Sequence, residues 1–182
     1  YKNNHSNNVA NLSLEIGKKL TLPDDKLKNL KLSGLLHDIG YIKIPDDIIN
    51  KPSTLSENEY NLIKEHSKFG SNIIKNIPFE QPIEKIILQH HERIDGSGYP
   101  AGLSGNNILI EAKILGVADV IEAMTSDRPH RTAHDIDYAL EEIRDYNNIK
   151  FDKEVVKACI NLFENNQFSF KNQKFSEPSF QN

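Results

Sequence analysis

His90 and His91 stand side by side at the end of an apolar stripe, where an imidazole is either a satisfied core residue or a ligand. Positions 83, 86, 87, 90 and 91 follow the i, i+3, i+4, i+7, i+8 rule, so both rings share the inward face with Ile83, Ile86 and Ile87. His66 follows Leu62 and Ile63 by four and three residues and points inward too. Asp119 lies in GVADVI, four residues after Leu115, where a carboxylate is unfavourable unless paired or bound to a metal. His37 and Asp38 close an apolar helix containing Leu35 and Leu36. One inward histidine is usually a hydrogen-bonded core residue. Four imidazoles and two carboxylates drawn from several helices need a shared partner. A divalent metal is that partner, since neutral imidazole and carboxylate are its preferred nitrogen and oxygen ligands.

Such a ligand set exceeds what one ion takes from protein. With Asp38 bridging, each of two ions receives about four protein bonds, and octahedral ions keep positions open for a shared hydroxide and a substrate oxygen. Two ions roughly 3.5–4 Å apart clamp the attacking and leaving oxygens of an in-line phosphoryl displacement, and they lower the pKa of bound water towards about 7. No serine or cysteine nucleophile motif and no phosphate-binding P-loop competes with this reading. Cys159 sits among apolar residues and reads as core, while His130 and His134, in a polar stretch, read as surface or loop.

The elements that must position these groups are helical. Val9, Leu12 and Ile16 form a stripe ending at Gly17, and Leu27, Leu30, Gly34 and Leu35 belong to a second helix running to Gly40. Ser56 and Glu59 have the spacing of a capping box and open a third helix through Leu62, Ile63 and His66. Pro82 starts a fourth, followed by the glycine-rich loop DGSGYPAGLSG. Further helices are expected over 110–124, 135–145 and 153–163. No alternating strand pattern and no repeat is found. The expectation is an all-α bundle of about seven helices over residues 1–164, then a polar tail at 165–182 carrying Phe168, Phe170, Phe175 and Phe180. That tail reads either as a loose terminus or as a strap whose phenylalanines dock on the helices.

Composition narrows the class. A chain of 182 residues serves one core, and its single cysteine excludes an intrachain disulfide and fits a reducing, cytoplasmic compartment. A net charge of −4 without a basic block argues against a duplex-DNA surface. No stretch approaches the ~20 apolar residues of a membrane helix. The sequence opens on Tyr1 without an initiator methionine, so a fragment of a longer, regulated protein is expected.

The segments HSNNVANLSLEIG, HDIGYIKIPDDIINKPSTLSENEY, EHSKFG, HHERIDGSGYP and ILGVADVIEAMTSDRPHR resemble the HD-GYP subgroup of HD-domain phosphohydrolases. The resemblance runs from His5 to about Phe163, and HHERIDGSGYP is its most specific part. It implies an all-helical fold and bacterial second-messenger turnover, with cyclic di-GMP hydrolysed to linear pGpG or onward to GMP. It also implies two divalent ions, iron or manganese, with His37 and Asp38 as the catalytic pair. His5, His37, Asp38 and Asp119 are expected on one ion, and Asp38, His66, His90 and His91 on the other. His5 is the member that periodicity alone does not select. Asp95, Gly96, Gly98, Tyr99 and Pro100 form the signature loop, implied to shape substrate access or dock partners. The expected partners are the cyclic dinucleotide and a sensor, receiver or GGDEF-type domain.

Three departures bear on function. The family usually has a phosphate-contacting lysine where this chain has Tyr41, and Lys43 is the nearby candidate to compensate. A carboxylate that some members use for a third metal is replaced by Tyr1, so two metals are expected. The usual RPYR reads Arg128-Pro-His-Arg131, keeping both arginines as phosphate partners. Two other readings therefore stand beside the first. One is an HD phosphohydrolase for another cyclic dinucleotide or nucleotide. The other is a dinucleotide- or partner-binding module weakened in catalysis by Tyr41.

Overall fold

The apolar stripes become nine α-helices among the residues that the computed structural model describes, 2–79, 82–127 and 132–170. They are α1 (Lys2–Lys19), α2 (Asp24–Leu36), α3 (Asp46–Ile49), α4 (Glu57–Lys64), α5 (His66–Ile74), α6 (Ile83–Gln89), α7 (Ile110–Thr125), α8 (Ile136–Asp145) and α9 (Lys153–Glu164). No strand occurs among the described residues, only isolated bridges pairing Asp95 with Ser104 and Asn147 with Phe151. The fold is all-α, as the periodicity predicts. No helix among the described residues is long and apolar enough to cross a membrane.

The central element is α7, which packs against α1, α2, α6, α8 and α9. Ile114, Leu115, Val117, Ala118 and Ile121 are wholly buried, because a helix apolar on most of its faces has to be enclosed by others. Against it lie the α1 stripe of Val9, Leu12 and Ile16, the α6 stripe of Ile83, Ile86 and Ile87, and Val155 and Cys159 of α9. Each large side chain of this core contributes about 1.5–3 kcal/mol by leaving water. The α1–α2 crossing is especially close: a Cβ on Gly34 would stand 2.5 Å from the Ala10 Cα, so the small residues let the backbones touch.

Local chemistry sets the helix starts. Ser56 Oγ accepts from the Glu59 amide (3.3 Å) while Glu59 Oε2 accepts from the Ser56 amide (2.7 Å), completing the expected capping box. Asp135 and Asp152 cap α8 and α9 in the simpler way, each accepting from amides of the first turn.

The structure modifies the expected helices in three places. The second stops at Leu36, and a turn of 3-10 helix, Ile39–Lys43, follows. The third breaks at Glu65, whose amide reaches back to the Leu62 carbonyl (3.1 Å), and then resumes as α5. The short α3 carries no buried residue and so no stripe that a sequence pattern could reveal. In the tail, Phe168 and Phe170 pack against the core, with Phe168 edge-on to Phe163 at 5.4 Å between centroids. Residues 171–182, with Phe175 and Phe180, lie outside the described residues.

Replacing Ser56 by alanine is expected to cost about 1 kcal/mol by removing half of the capping box. A thermal melt should show a fall of roughly 2–4 °C, with metal content unchanged.

Candidate metal centre

Three of the histidines sit where helices end, and one hydrogen bond recurs at each. His37 caps α2 and its Nδ1 donates to the Gly34 carbonyl at 2.8 Å. His66, at the α4–α5 break, donates Nδ1 to the Ile63 carbonyl at 2.8 Å. His90 caps α6 and donates Nδ1 to the Ile87 carbonyl at 2.6 Å. The last carbonyls of a helix have no intrahelical partner and carry its negative end, so a ring N–H three residues on satisfies one of them. A nitrogen facing a carbonyl must carry the hydrogen, which leaves Nε2 as an acceptor in each neutral ring.

Those acceptors converge. The Nε2 atoms of His66 and His90 lie 3.3 Å apart, a contact in which two lone pairs face one another unless a cation stands between them. Ligand atoms of His66, His90 and His91 all lie within 4.8 Å of one another, and so do those of His5, His37 and Asp119. Asp38 connects the two groups. Its Oδ1 is 3.3 Å from His37 Nε2 and 3.9 Å from His66 Nε2, while Oδ2 is 3.5 Å from His5 Nε2. The structure thus brings together all seven candidate ligands named from the sequence, and the donor set of imidazole and carboxylate fits divalent cations.

The surrounding residues hold this arrangement in place. Gly40 makes the approach of α5 possible: a Cβ there would stand 1.9 Å from the His66 carbonyl oxygen. His5 reaches the centre from α1 and hydrogen-bonds through Nδ1 to Glu122 on α7. Glu122 also accepts from Asn8 Nδ2 (3.1 Å) and Ser126 Oγ (2.8 Å). A carboxylate behind a ligating imidazole fixes the ring and raises its basicity. The buried Glu92 accepts from the amides of Ala101 (2.7 Å) and Leu103 (2.9 Å) and so folds the loop after His91. Neither glutamate was selected from the sequence. Glu122 continues the spacing Leu115, Asp119 on one helical face, a signal that could have found it. Glu92 depends on loop geometry that no periodicity encodes.

The two groups differ in charge. Burial works against a charged His5, but hydrogen bonds to Asp119 and Glu122 and their negative charges outweigh it and raise its pKa to about 10. Burial lowers His91 to about 3, and pushes His90 well down with the help of the neighbouring imidazoles. His66 is lowered by burial as well. One group is a cationic imidazole among carboxylates; the other is a set of neutral rings.

Two tyrosines flank the neutral group. Tyr41 stacks on His66 (4.5 Å between centroids, 8° between planes), and Tyr99 of the signature loop stacks on His91 (4.7 Å, 24°). Burial holds the Tyr99 phenol above its usual pKa. Asp38, 31% exposed, opens onto a groove of about 560 Å³ lined also by Ile39, Tyr41, Ile42, Ile44, Pro45 and Asp46. Lys43 is exposed and is not among the groove-lining residues. Within the loop, Asp95 Oδ1 accepts from Ser97, Gly96 takes φ +83°, and Tyr99-Pro100 is a cis peptide bond. His134 stacks on Tyr138 ahead of α8. Tyr1, Arg128, His130 and Arg131 lie outside the described residues.

Known proteins resemble this chain in sequence and in fold. The HD domain family profile matches residues 2–155. A cyclic di-GMP phosphodiesterase of Pseudomonas aeruginosa is 36% identical over 157 residues, covering 86% of this chain and 38% of the relative. A 3'3'-cGAMP-specific phosphodiesterase of Vibrio cholerae is 37% identical over 140 residues, covering 77% and 32%. The chain therefore spans well under half the length of these two relatives. A Bdellovibrio bacteriovorus protein described as HDG"Y"P superposes with a TM-score of 0.74 at 23% identity, over 90% of this chain and 53% of that one, a likeness of fold.

The opposed shifts give metal-free protein a two-sided pH dependence. Below about pH 6.5 the unfolded chain protonates His91 and the folded chain does not, so stability present above that pH is lost as pH falls towards about 3. The raised His5 acts in the reverse sense: its contribution is full below about pH 6.5 and is lost as pH rises through about 10. Urea midpoints in chelator should decline on both sides of neutrality. In Glu122→Gln the alkaline decline should be shallower.

Proposed function

The chain belongs to the HD domain family, in its HD-GYP branch, and on that footing we propose that it hydrolyses cyclic di-GMP to linear pGpG or onward to GMP with two divalent cations. The observation that carries this is the pair of three-ligand groups on either side of Asp38. His5, His37 and Asp119 would hold one ion and His66, His90 and His91 the other, with Asp38 as a ligand within reach of both groups. Iron or manganese suits a donor set of imidazole and carboxylate without thiolate, Cys159 being buried in α9. Bound as a pair, such ions supply a nucleophile from water near neutral pH and neutralise charge on the phosphate.

The protein's own groups do the rest. The Nδ1–H bonds of His37, His66 and His90 keep each Nε2 available without a proton to displace. Glu122 holds the His5 ring in place by accepting the hydrogen bond of its Nδ1–H. The groove beside Asp38 gives a cyclic dinucleotide an approach in which Tyr41 offers a ring and a hydroxyl. The names of the relatives favour a cyclic dinucleotide over a nucleoside polyphosphate, with cyclic di-GMP ahead of 3'3'-cGAMP. A second reading retains cations and ligand but not turnover, and Tyr41 in place of the family's lysine is the feature that favours it.

Asp38→Ala should lose at least one metal by elemental analysis and reduce cyclic di-GMP turnover below detection by chromatography. Retention of two metals in that variant would contradict the shared-ligand assignment. Tyr41→Lys separates the two readings: wild-type turnover that rises by no more than a few fold marks Tyr41 as tolerated in an enzyme. Turnover in the lysine variant alone marks a module that binds.

A further inference from the structure

A cyclic dinucleotide brings two phosphodiester charges, and Tyr41 offers no charge to meet them. Several cations of the surrounding segments are committed elsewhere. Arg93 donates to the carbonyls of His90 (3.3 Å) and Glu92 (2.9 Å) and lies 5.1 Å from the centroid of the Phe151 ring. Lys51 is paired with Glu59 and Lys68 with Glu65, each at 2.7 Å. Lys64 differs. It ends α4, and among the described residues its ammonium has no carboxylate partner. It donates to the neutral Asn61 Oδ1 at 3.2 Å and lies 4.5 Å from the Tyr60 ring centroid and 5.9 Å from that of Tyr99.

Aromatic faces attract an ammonium without cancelling its charge, which a carboxylate would do. Tyr99 carries this seat to the centre itself, stacked on His91 and edge-on to His66. A lysine here has a flexible four-carbon stem and three donors, so it can leave the rings for an oxyanion nearby. We propose that Lys64, seated on Tyr60 and Tyr99, is the side chain that holds a phosphodiester of the substrate beside the His66, His90 and His91 group, the task that Tyr41 cannot perform. Tyr99 then has a defined part, as the ring that joins a candidate metal ligand to the phosphate-binding cation. The inference rests on the proposed hydrolysis of a cyclic dinucleotide.

The test compares wild type, Lys64→Met, Lys64→Arg and Lys68→Met, all loaded with manganese, on cyclic di-GMP. Lys64→Met should raise KM about tenfold or more, the loss of one charge-assisted contact, with kcat within about twofold and metal content unchanged. Lys64→Arg should recover most of that loss, and Lys68→Met should match wild type. Should Lys64→Met fail to fold, Lys64→Gln is read by the same criteria. Active wild type with an unaltered KM in the methionine variant overturns the role of Lys64 and leaves the enzymatic reading intact. So does a methionine defect that arginine leaves uncorrected. Metal-loaded wild type that hydrolyses no cyclic dinucleotide removes the enzymatic reading and this inference with it.

Discussion

The fold is organised around one hydrogen bond made three times: an imidazole N–H returned to the carbonyl three residues earlier, at the end of a helix. The bond fixes which nitrogen is protonated and which way the ring faces. It also explains why α2, α4 and α6 end where they do, since a continuing helix would use those carbonyls itself. The break at Glu65 leaves the Ile63 carbonyl to His66, and the stop at Leu36 turns His37 into the interior and Asp38 to the edge of the groove. Close backbone approaches at Gly34 and Gly40 then bring the helix ends near enough for the ring nitrogens to meet.

Within this frame the two halves of the centre are electrostatically unlike. Around His5 the carboxylates of Asp119 and Glu122 create a negative environment that keeps the ring charged when no metal competes. Around His66, His90 and His91 burial dominates and the rings stay neutral. Asp38 is the carboxylate that the two halves share, and it is also the part of the ligand set that faces the groove. An anion approaching from that side meets the least enclosed of the candidate ligands first.

Much of this was legible in the sequence because helical periodicity reports which side chains face inward. His66, His90, His91 and Asp119 follow from spacing, and the capping box at Ser56 places α4 within a residue. His5 needed the family resemblance, although it stands four residues before Val9 and extends the stripe of Val9, Leu12 and Ile16 by one turn. Glu122 extends the Asp119 face in the same manner. What periodicity does not carry is contact between distant loops. Lys43 stands two residues from Tyr41 in the chain, whereas Lys64 is 23 positions away and lies against a ring of the signature loop. Glu92 is hidden for a similar reason, because its partners are amides of a loop that has no repeating pattern.

The bond between His5 and Glu122 joins residues separated by 117 positions, and nearly everything that lines the centre lies between them. A chain growing from its amino terminus at about 5–20 residues per second therefore displays α1 for several seconds before α7 exists to receive it. During vectorial synthesis the α2, α4 and α6 histidines are already in hand while the first helix still lacks its anchor. The half of the pocket that draws on His5 cannot be complete until Asp119 and Glu122 have been made, after every imidazole of the centre.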